Sequence, residues 1–523
     1  MDNFTDTEKR ILDFYCSNTN SDIFVLKNLP PSTGAALFAR YSRSPKSLRR
    51  ILLDEFLDDK VILKEENTTG AERTNKLFAK VLAEYGDDSV AQLATFQVAF
   101  EGVSQLLTKQ IERGRLGAYL EQSTRYIPFD GKVNGNYKYY RPYEIMNSPY
   151  RSEYIKTMNK LFDFYSNLIP KVQAYLEVST PGMEDPKARK MAIRALTLDI
   201  LRFLLPVSTI SNVGMTATPQ SYENLIYRLR SSNLSESNET AEKLIKELNG
   251  THPEFFGRVN REDRGYTWVE YLKNKNISLK QHIYSVGNFV HKEHLQEQTK
   301  VKLIKWDNDA EDIILAHALL ENQQTDLQTL MLYVKSLENE EKTRLFHTIV
   351  GDRRNRRHKP GRAFEQTFYT FEIIADYGSF RDLQRHRMLS IEWSPLSPNL
   401  GYDIPEVIIA MGLKNKWEKV LGKVEKLYSS LEEEDILEAA QYCTVLGHKM
   451  RYVITLNARE LMHLIELRTS PQSHPAYRSI CLEMYEALIK IAKHYRIAES
   501  MSFVNKADVY LPRYQEEEKK INS

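Results

Sequence analysis

The chain of 523 residues contains an internal repeat, and this repeat constrains its fold more than any other feature of the sequence. Phe96–Leu116 aligns with the stretch that ends at Met388 at an offset of 272 residues, and Val301–Glu321 repeats the strand, turn and helix pattern of Phe24–Tyr41. Similarity at a fixed offset indicates that a whole structural unit has been duplicated. We therefore expect two tandem copies of one fold, each of about 200 residues.

The spacing of apolar residues predicts mainly helices with a few short strands. We expect helices at residues 1–20, 37–57, Ala71–Tyr85, Val90–Gln110, Ser152–Leu176, Asp185–Leu205 and Phe364–Met388, and strands at Asp22–Pro31 and Tyr137–Pro142. Residues 86–89 are predicted to end the helix Ala71–Tyr85. The polar stretch Ser231–Gly250 is interpreted as a boundary or long loop.

Composition excludes several classes of protein. A hydrophobic fraction of 42% is sufficient for real cores, and a net charge of +2 does not favour a polyanion-binding protein. Three widely separated cysteines show neither metal-ligand spacing nor a disulfide framework. The polar N-terminus is not a signal peptide, and the most apolar window, Ala195–Met215, contains Asp199, Arg202 and Pro206. We expect a cytoplasmic protein without a membrane span.

The stretch Lys109–Tyr126, KQIERGRLGAYLEQSTRY, concentrates charged and hydroxyl side chains. If it is extended, Glu121, Ser123 and Arg125 point to one side, because side chains alternate in a strand. An acid, a hydroxyl and a guanidinium group together suit an anionic nucleotide. The alternative is a solvated loop.

A second polar pattern lies on the predicted helix Leu456–Pro471. Asn457 and Arg468 are eleven residues apart, so they return to one helix face with an axial separation of about 16 Å. Two ligands could be contacted along such a face. An ordinary amphipathic helix is the alternative reading.

These stretches together resemble the flavin-dependent thymidylate synthases. The family signature is Arg-His-Arg, seven residues, Ser, then Arg-Tyr, with Gln three residues before the first Arg. The first copy matches it at Gln110, Arg113, Arg115, Glu121, Ser123, Arg125 and Tyr126, and the second copy retains Arg385-His386-Arg387 and the helix residues Asn457, Arg459, His463 and Arg468. Arg202 stands at the family's spacing before Leu-Pro, although it could instead be a cation at a helix C-terminus.

Each copy also departs from the family pattern. Gly114 replaces the central His in the first copy, and Trp393–Pro398 contains two prolines where the first copy has the nucleotide loop. Gln441 replaces the counterpart of Arg202. Asp87, Leu93 and Gln366 stand where the family has histidines.

The resemblance implies an α+β fold, with a small antiparallel sheet and long helices, present twice. The implied organisation is an N-terminal extension (1–20), a first copy with the nucleotide loop (21–235), a linker or insertion (236–298), a second copy with the flavin loop and C-terminal helix (299–510), and a charged tail (511–523). Family members are homotetramers with sites between subunits, so a fused chain is expected to form a homodimer.

The implied activity is methylation of dUMP to dTMP with FAD, NADPH and methylenetetrahydrofolate, at one composite site built from both copies. The residues implied to bind nucleotide are Gln110, Glu121, Gln122, Ser123, Arg125, Arg202 and Arg468. Those implied to bind flavin are Arg385, His386, Arg387, Asn457, Arg459 and His463. Arg468 and Ser123 are the implied catalytic residues.

Other readings stay open at the level of sequence. The protein could be a flavoprotein acting on another pyrimidine, even in RNA, or an inactive relative that binds nucleotide. The basic run Arg353–Arg362 could hold a pyrophosphate, a folate tail or nucleic acid, or be a solvated loop, but it lacks the interleaved aromatics that stack on single strands. His291 and His294 lack a third ligand, so no metal is expected.

Overall fold

The computed structural model describes residues 3–42, 44–57, 92–290, 300–507, 511 and 513–522. It divides into two compact units: the first is Met1–Glu101, Gln110–Glu121 and Asn212–Gly287, and the second is Gly102–Lys109, Gln122–Ser211 and Asn288–Ser523. The first sequence copy thus contributes to both units. The predicted helix at 71–85 with its stop, Asp87, His291 and His294 lie outside the described residues.

The secondary structure is mixed. The helices are α1 Asp6–Tyr15, α2 Pro31–Tyr41, α3 Leu48–Ile51, α4 Gln105–Ile111, α5 Tyr143–Met146, α6 Arg151–Ser179, α7 Pro186–Leu201, α8 Pro219–Arg230, α9 Ser235–Thr251, α10 Pro253–Phe256, α11 Thr267–Val290, α12 Ala310–Leu320, α13 Leu327–Ser336, α14 Asn339–Val350, α15 Tyr377–Leu383, α16 Glu406–Ala410, α17 Lys414–Glu433, α18 Leu437–Ala440, α19 Ala458–Arg468, α20 Pro475–Ala487, α21 Tyr495–Ser500 and α22 Tyr514–Asn522. The strands are β1 Phe96–Ser104, β2 Gly117–Glu121, β3 Lys132–Val133, β4 Asn136–Tyr137, β5 Ile210–Ala217, β6 Val301–Trp306, β7 Phe368–Asp376, β8 Leu389–Trp393 and β9 Lys449–Asn457.

The repeat is reproduced in the element boundaries. The succession β1, α4, β2 has the same start and end residues as β7, α15, β8 when each number is increased by 272. A second correspondence follows, because β5 and α8 begin 239 residues before β9 and α19. The prediction of an α+β fold in two tandem copies is confirmed.

The predicted helices over Val90–Gln110 and Phe364–Met388 are wrong in their central parts. Residues 96–104 and 368–376 form strands β1 and β7, and within the described parts of these stretches α-helix is limited to the seven residues that follow each strand. In β7, buried positions such as Tyr369, Phe371 and Ile373 alternate with more exposed ones. This period of two, together with aromatic and β-branched residues, favours a strand although the run is apolar overall.

Three sheets are antiparallel in their defined pairings. Their strand orders are β1-β5-β2, β3-β4 and β6-β7-β9-β8. Strand β2 pairs with β5 from Gly117–Ala217 to Glu121–Val213. In the four-stranded sheet, β7 pairs with β9 along its whole length, so Phe368 lies opposite Asn457 at the start of α19.

The first unit contains two further corrections. Residues 22–31 form no strand; Leu26 only makes an isolated bridge with Cys16, beside a small core that includes Leu12 and Ile51. The stretch Ser231–Gly250 is not a loop, because helix α9 occupies residues 235–251. Its buried residues have helical spacing: Ala241, Leu244, Ile245 and Leu248.

The second unit brings the two copies together. Residues 205–207 and 444–446, which precede β5 and β9 at equivalent places, pair with each other: Val207 N–H donates to Thr444 O (2.7 Å) and Leu446 N–H donates to Leu205 O (2.9 Å). A hydrophobic core lies against the four-stranded sheet, where Phe380 packs edge-on against Trp393 and Tyr452. Among the described helices, none is both long and apolar enough to cross a bilayer.

Candidate active site

The first part of the site is the N-terminus of α19. Asn457 caps this helix, since its Oδ1 accepts the Glu460 N–H (2.8 Å). The cap places Glu460 in the first helical turn, where its buried carboxylate lies 2.7 Å from His386 Nδ1. His386 is held in this position by the turn between α15 and β8, which buries its ring while Arg385 and Arg387 are exposed on either side.

His386 connects Glu460 to Arg468 at the far end of the same helix. Arg468 Nε donates to His386 Nε2 (3.1 Å), so the ring is a neutral imidazole that carries its proton on Nδ1 and donates it to Glu460. Burial lowers the pKa of His386 and favours this neutral form. Arg468 also donates to the carbonyl oxygen of Asp382 (2.6 Å).

His463 completes this cluster, with its ring centroid 5.4 Å from that of His386. Burial lowers the pKa of His463 to about 4. Donor atoms of His386, Glu460 and His463 lie within 4.8 Å of one another, which is a spacing that a metal ion could use. Both ring nitrogens of His386 already have hydrogen-bond partners, however, and the positive charges of Lys359 and Arg356 also act on His463.

The second part of the site is a group of three arginines, here called the arginine group: Arg125 and Arg202 of the first copy and Arg468 of the second. Arg125 makes a two-pronged ion pair with buried Asp199 of α7 (2.7 and 2.8 Å), and its Nη1 donates to the Tyr477 hydroxyl (3.2 Å). The guanidinium carbons of Arg125 and Arg468 lie 5.9 and 5.4 Å from the centre of the Tyr477 ring. Thus the two arginines predicted to share a ligand lie against one side chain.

Asp199 is ionised. Burial opposes this by raising its pKa, but the hydrogen bonds and charge of Arg125 outweigh burial and leave the pKa lowered. Arg513, just before α22, is 3.7 Å from the second oxygen of Asp199.

Arg202 is the least satisfied member of this group. It follows α7 in a short 3-10 turn, and only 1% of its surface is exposed. Its Nη1 is 3.5 Å from Asp382, while Nε and Nη2 have no hydrogen-bond partner among the described residues. A buried guanidinium with two unpaired nitrogens is costly, so this position is suited to an anionic ligand.

Asp382 lies among the positive charges. Its burial opposes ionisation, but Arg202, Arg385, Arg468 and Arg125 together hold the pKa of its carboxyl far below the usual range. In copy two, Asp382 stands three residues before Arg385, where the first copy has Gln110 before Arg113. A carboxylate accepts hydrogen bonds but cannot donate them, so it differs from glutamine towards a phosphate.

The corresponding loop of the first copy is built differently. Gly114 replaces the histidine, and the Tyr119 hydroxyl donates to Gly114 O (3.0 Å). A Cβ atom at residue 114 would lie 2.7 Å from that hydroxyl, so Tyr119 fills the space beside the loop. Arg230 is the last residue of α8, as Arg468 is the last residue of α19, and it is held by a two-pronged ion pair with Glu242 (2.8 and 3.1 Å).

Comparison with known proteins agrees with this duplicated arrangement. The family model described as "Thymidylate synthase complementing protein" matches residues 28–254 and again residues 302–492. The chain belongs to this family. A thymidylate synthase-like, methyltransferase-type enzyme is the corresponding general class.

Relatives of two kinds are found. A UPF0159 protein of Chlamydia pneumoniae is 33% identical over 99% of this chain and 98% of its own length. A flavin-dependent thymidylate synthase of Clostridium tetani is 28% identical over 188 residues, which are 35% of this chain and 70% of that protein. The solved structure of a UMP/dUMP methylase, PolB, from Streptomyces cacaoi bound with 5-Br dUMP shows 18% identity and a TM-score of 0.31, covering 39% of this chain and 94% of that one.

The predicted site residues of this chain are divided between its two compact units. Gln110 and Glu121 belong to the first unit, where Gln110 Oε1 accepts from Ser237 (2.9 Å) and Glu121 ends β2. Gln122 and Ser123 belong to the second unit, together with the remaining predicted site residues.

The expected extended conformation of the nucleotide loop is wrong beyond Glu121. Residues 124–126 form a turn, in which the Ser123 hydroxyl accepts the Arg125 N–H (3.2 Å). The alternation of side chains therefore does not bring Glu121, Ser123 and Arg125 to one face. Arg125 reaches the site through the turn and its ion pair with Asp199.

Part of the predicted flavin set has structural partners. Arg459 donates to Pro360 O (2.8 Å) and lies 3.3 Å from Glu365, so it holds the loop before β7. In the basic run, Arg353 is buried against Glu466 with contacts of 2.6 and 2.8 Å. Arg353 therefore stabilises the fold, so at this residue the basic run is neither a solvated loop nor a contact held ready for a ligand.

Sequence reasoning missed several residues of this site. Asp199, Asp382 and Tyr477 join the two copies here, and Glu460 orients His386. Only Asp382 carried a usable signal, since it replaces a glutamine of the family signature. Gly378 was also missed: a Cβ atom there would lie 3.2 Å from Arg202 Nη2.

Proposed function

We propose that the arginine group and the His386 cluster form one active site, which methylates dUMP to dTMP. The observation that supports this proposal most strongly is buried Arg202, which has unpaired nitrogens and acts on the carboxylate of Asp382 together with Arg125 and Arg468 from the two copies. Arg202 has hydrogen-bond donors without a partner, and Arg125 and Arg468 add positive charge, although Asp199 already pairs with Arg125. A nucleotide phosphate requires both donors and positive charge.

The residues of the second copy fit a flavin cofactor. Exposed Arg385 and Arg387 flank buried His386, and the charges of Lys359 and Arg356 act near His463. These cations suit a pyrophosphate, whereas Tyr119 fills the equivalent place in the first copy. FAD would bind there and supply hydride from NADPH to the one-carbon unit of methylenetetrahydrofolate.

The chain's own residues then position the nucleotide and stabilise charge. Arg202 would bind the phosphate, and Arg468 would donate to the uracil carbonyl as negative charge develops there. Neutral His386 accepts from Arg468 Nε and thereby fixes the orientation of its guanidinium group. In overall balance, the C5 hydrogen of dUMP is replaced by a methyl group, and the products are dTMP, tetrahydrofolate and NADP⁺.

Tritium release from dUMP labelled at C5 tests this proposal. The purified protein would be incubated with FAD, NADPH and methylenetetrahydrofolate, with omission of the folate as the control. We expect folate-dependent release of tritium. In a parallel incubation, dUMP labelled at a ring carbon should give labelled dTMP. Flavin-loaded protein that forms no dTMP under these conditions would contradict the proposal.

Asp382 favours a second candidate, in which the substrate is another pyrimidine that carries no phosphate dianion, such as one within RNA, whose phosphodiesters are singly charged. Its carboxylate lies in the arginine group, where it would repel a phosphate dianion. Asp382→Gln restores the residue of the family signature. The second candidate is favoured if this variant binds dUMP more tightly and the native chain does not convert dUMP. Conversion of dUMP by the native chain would show that Asp382 does not exclude this substrate.

A further inference from the structure

Helices α6 and α17 hold equivalent places in the two copies. Each follows a short helix, α5 or α16, and precedes the segment that leads to Arg202 or Gln441. Both lie in the second unit, where Phe164 of α6 meets Trp417 of α17 edge-on at 6.4 Å. Further along, residues 156–160 of α6 are beside residues 423–426 of α17, so the helices run antiparallel.

A cavity of about 470 Å³ opens between these two helices. It is lined by Ser152, Glu153, Lys156, Thr157, Lys160, Lys423 and Lys426. Four ammonium groups thus surround it with one carboxylate, which gives a local charge of about +3. This cavity shares no lining residue with the arginine group.

The lysines approach one another closely. Lys160 and Lys423 both line the cavity, and the nearby positive charge of Lys423 lowers the pKa of Lys160. Two ammonium groups at this separation repel each other unless an anion lies between them. Lysines four apart on α6 and three apart on α17 lie on one face of each helix, so both pairs can act on the same ligand.

We propose that this cavity, here called the lysine cavity, binds a compact oligophosphate. A chain of two or three phosphates matches the charge of the lining lysines, which bind phosphate as point charges. The described lining contains no aromatic side chain on which a nucleobase could stack, so single-stranded nucleic acid is a poorer fit. Because residues of both helices bind it, such a ligand would join equivalent parts of the two copies.

Binding of inorganic tripolyphosphate to the full-length protein tests the proposal. Calorimetric titrations at about 0.05 M salt would compare the native chain with the double variant Lys160→Gln/Lys423→Gln, since screening is weak at that ionic strength. We expect binding by the native chain and about thirtyfold weaker binding by the variant, since two charge contacts near 4 Å are removed. Thermal unfolding would verify that the variant is folded.

The matched control is Lys171→Gln/Lys414→Gln, which makes the same change of charge on the same two helices at about 16 and 14 Å along the helix axes from Lys160 and Lys423. This variant should bind tripolyphosphate within about twofold of the native chain. No binding by the native chain, equal losses in both variants, or unchanged affinity in the cavity variant would overturn the proposal. The last result would place the anion in another site, such as the arginine group.

A single-stranded oligodeoxynucleotide provides the competing probe. When the two ligands are compared at equal concentrations of phosphate groups, tripolyphosphate should bind the protein more tightly than the oligonucleotide. Lysine-dependent binding of the oligonucleotide in the absence of tripolyphosphate binding would overturn the oligophosphate proposal and indicate a nucleic-acid surface.

Discussion

The loop at Gly114 and the loop at His386 occupy the same place in the repeat but have different interactions. Around His386, a helix cap places Glu460, and Glu460, His386 and Arg468 form a hydrogen-bonded series directed towards the arginine group. Around Gly114, a tyrosine fills the adjoining space. The duplication therefore preserved the backbone of both copies while their side chains diverged, and one complete site per chain is the expected result.

The largest expected difference between the copies concerns Arg468 and Arg230, the arginines that end the equivalent helices α19 and α8. Arg468→Ala should lower turnover by about 10²–10³-fold, because it removes a donor to the developing charge and a partner of His386. Arg230→Ala should leave turnover of the folded protein nearly unchanged and lower the free energy of unfolding by about 1–3 kcal/mol, through loss of its charged hydrogen bonds. Steady-state kinetics and chemical denaturation of both variants measure this contrast; equal effects on turnover would contradict it.

At one pair of equivalent positions, only the second copy should make the free energy of unfolding depend on pH. His448 has its pKa lowered to about 4 by burial, whereas the first copy has Thr209 there, whose hydroxyl donates to Pro206 O (2.6 Å). His448 takes up a proton more readily in the unfolded chain than in the folded protein. The free energy of unfolding is therefore highest above about pH 6.5, where His448 is neutral in both states, and it declines as the pH falls towards 4. This decline is at most about 3 kcal/mol.

His448→Thr, which introduces the residue of the first copy, should flatten the decline of the free energy of unfolding between pH 6.5 and 4. Denaturant titrations at pH 7 and 5 for the native chain and the variant provide the measurement. An identical slope in the two proteins would show that His448 does not titrate as this environment requires.

A smaller effect is expected in the first copy's loop. Gly114→Ala should lower the free energy of unfolding by about 1–3 kcal/mol, because its Cβ would press on the Tyr119 hydroxyl. Adding Tyr119→Phe removes the obstructing oxygen and should recover part of the loss. Both variants should retain turnover, and a large loss of turnover in Gly114→Ala would show that this loop also serves catalysis.

The repeat could be predicted because identical spacing survives in the sequence, down to the element boundaries of β1 and β7. The nature of those elements could not be read from apolarity, since a short apolar run fits a strand or a buried helix segment. Helix α9 could in principle have been predicted from the sequence, because Leu244 and Leu248 follow a helical period. Its polar composition concealed that period.

The grouping of arginines at the candidate site could be predicted in part for a similar reason. Arg125, Arg202 and Arg468 carry the family spacing, and the structure places them near Tyr477 or Asp382. Those two partners could not be derived, since each contact joins residues that are distant in the chain. The role of Asn457 as a helix cap shows that a family position can also have a local structural purpose.

The central claim is that the two copies together make one site, and the stoichiometry of nucleotide binding tests it most directly. Calorimetric titration with dUMP of the flavin-loaded protein should give one site per chain, and either Arg125→Ala or Arg468→Ala should abolish that site. Two sites per chain, with one lost in each variant, would contradict the claim, because each copy would then bind a nucleotide by itself.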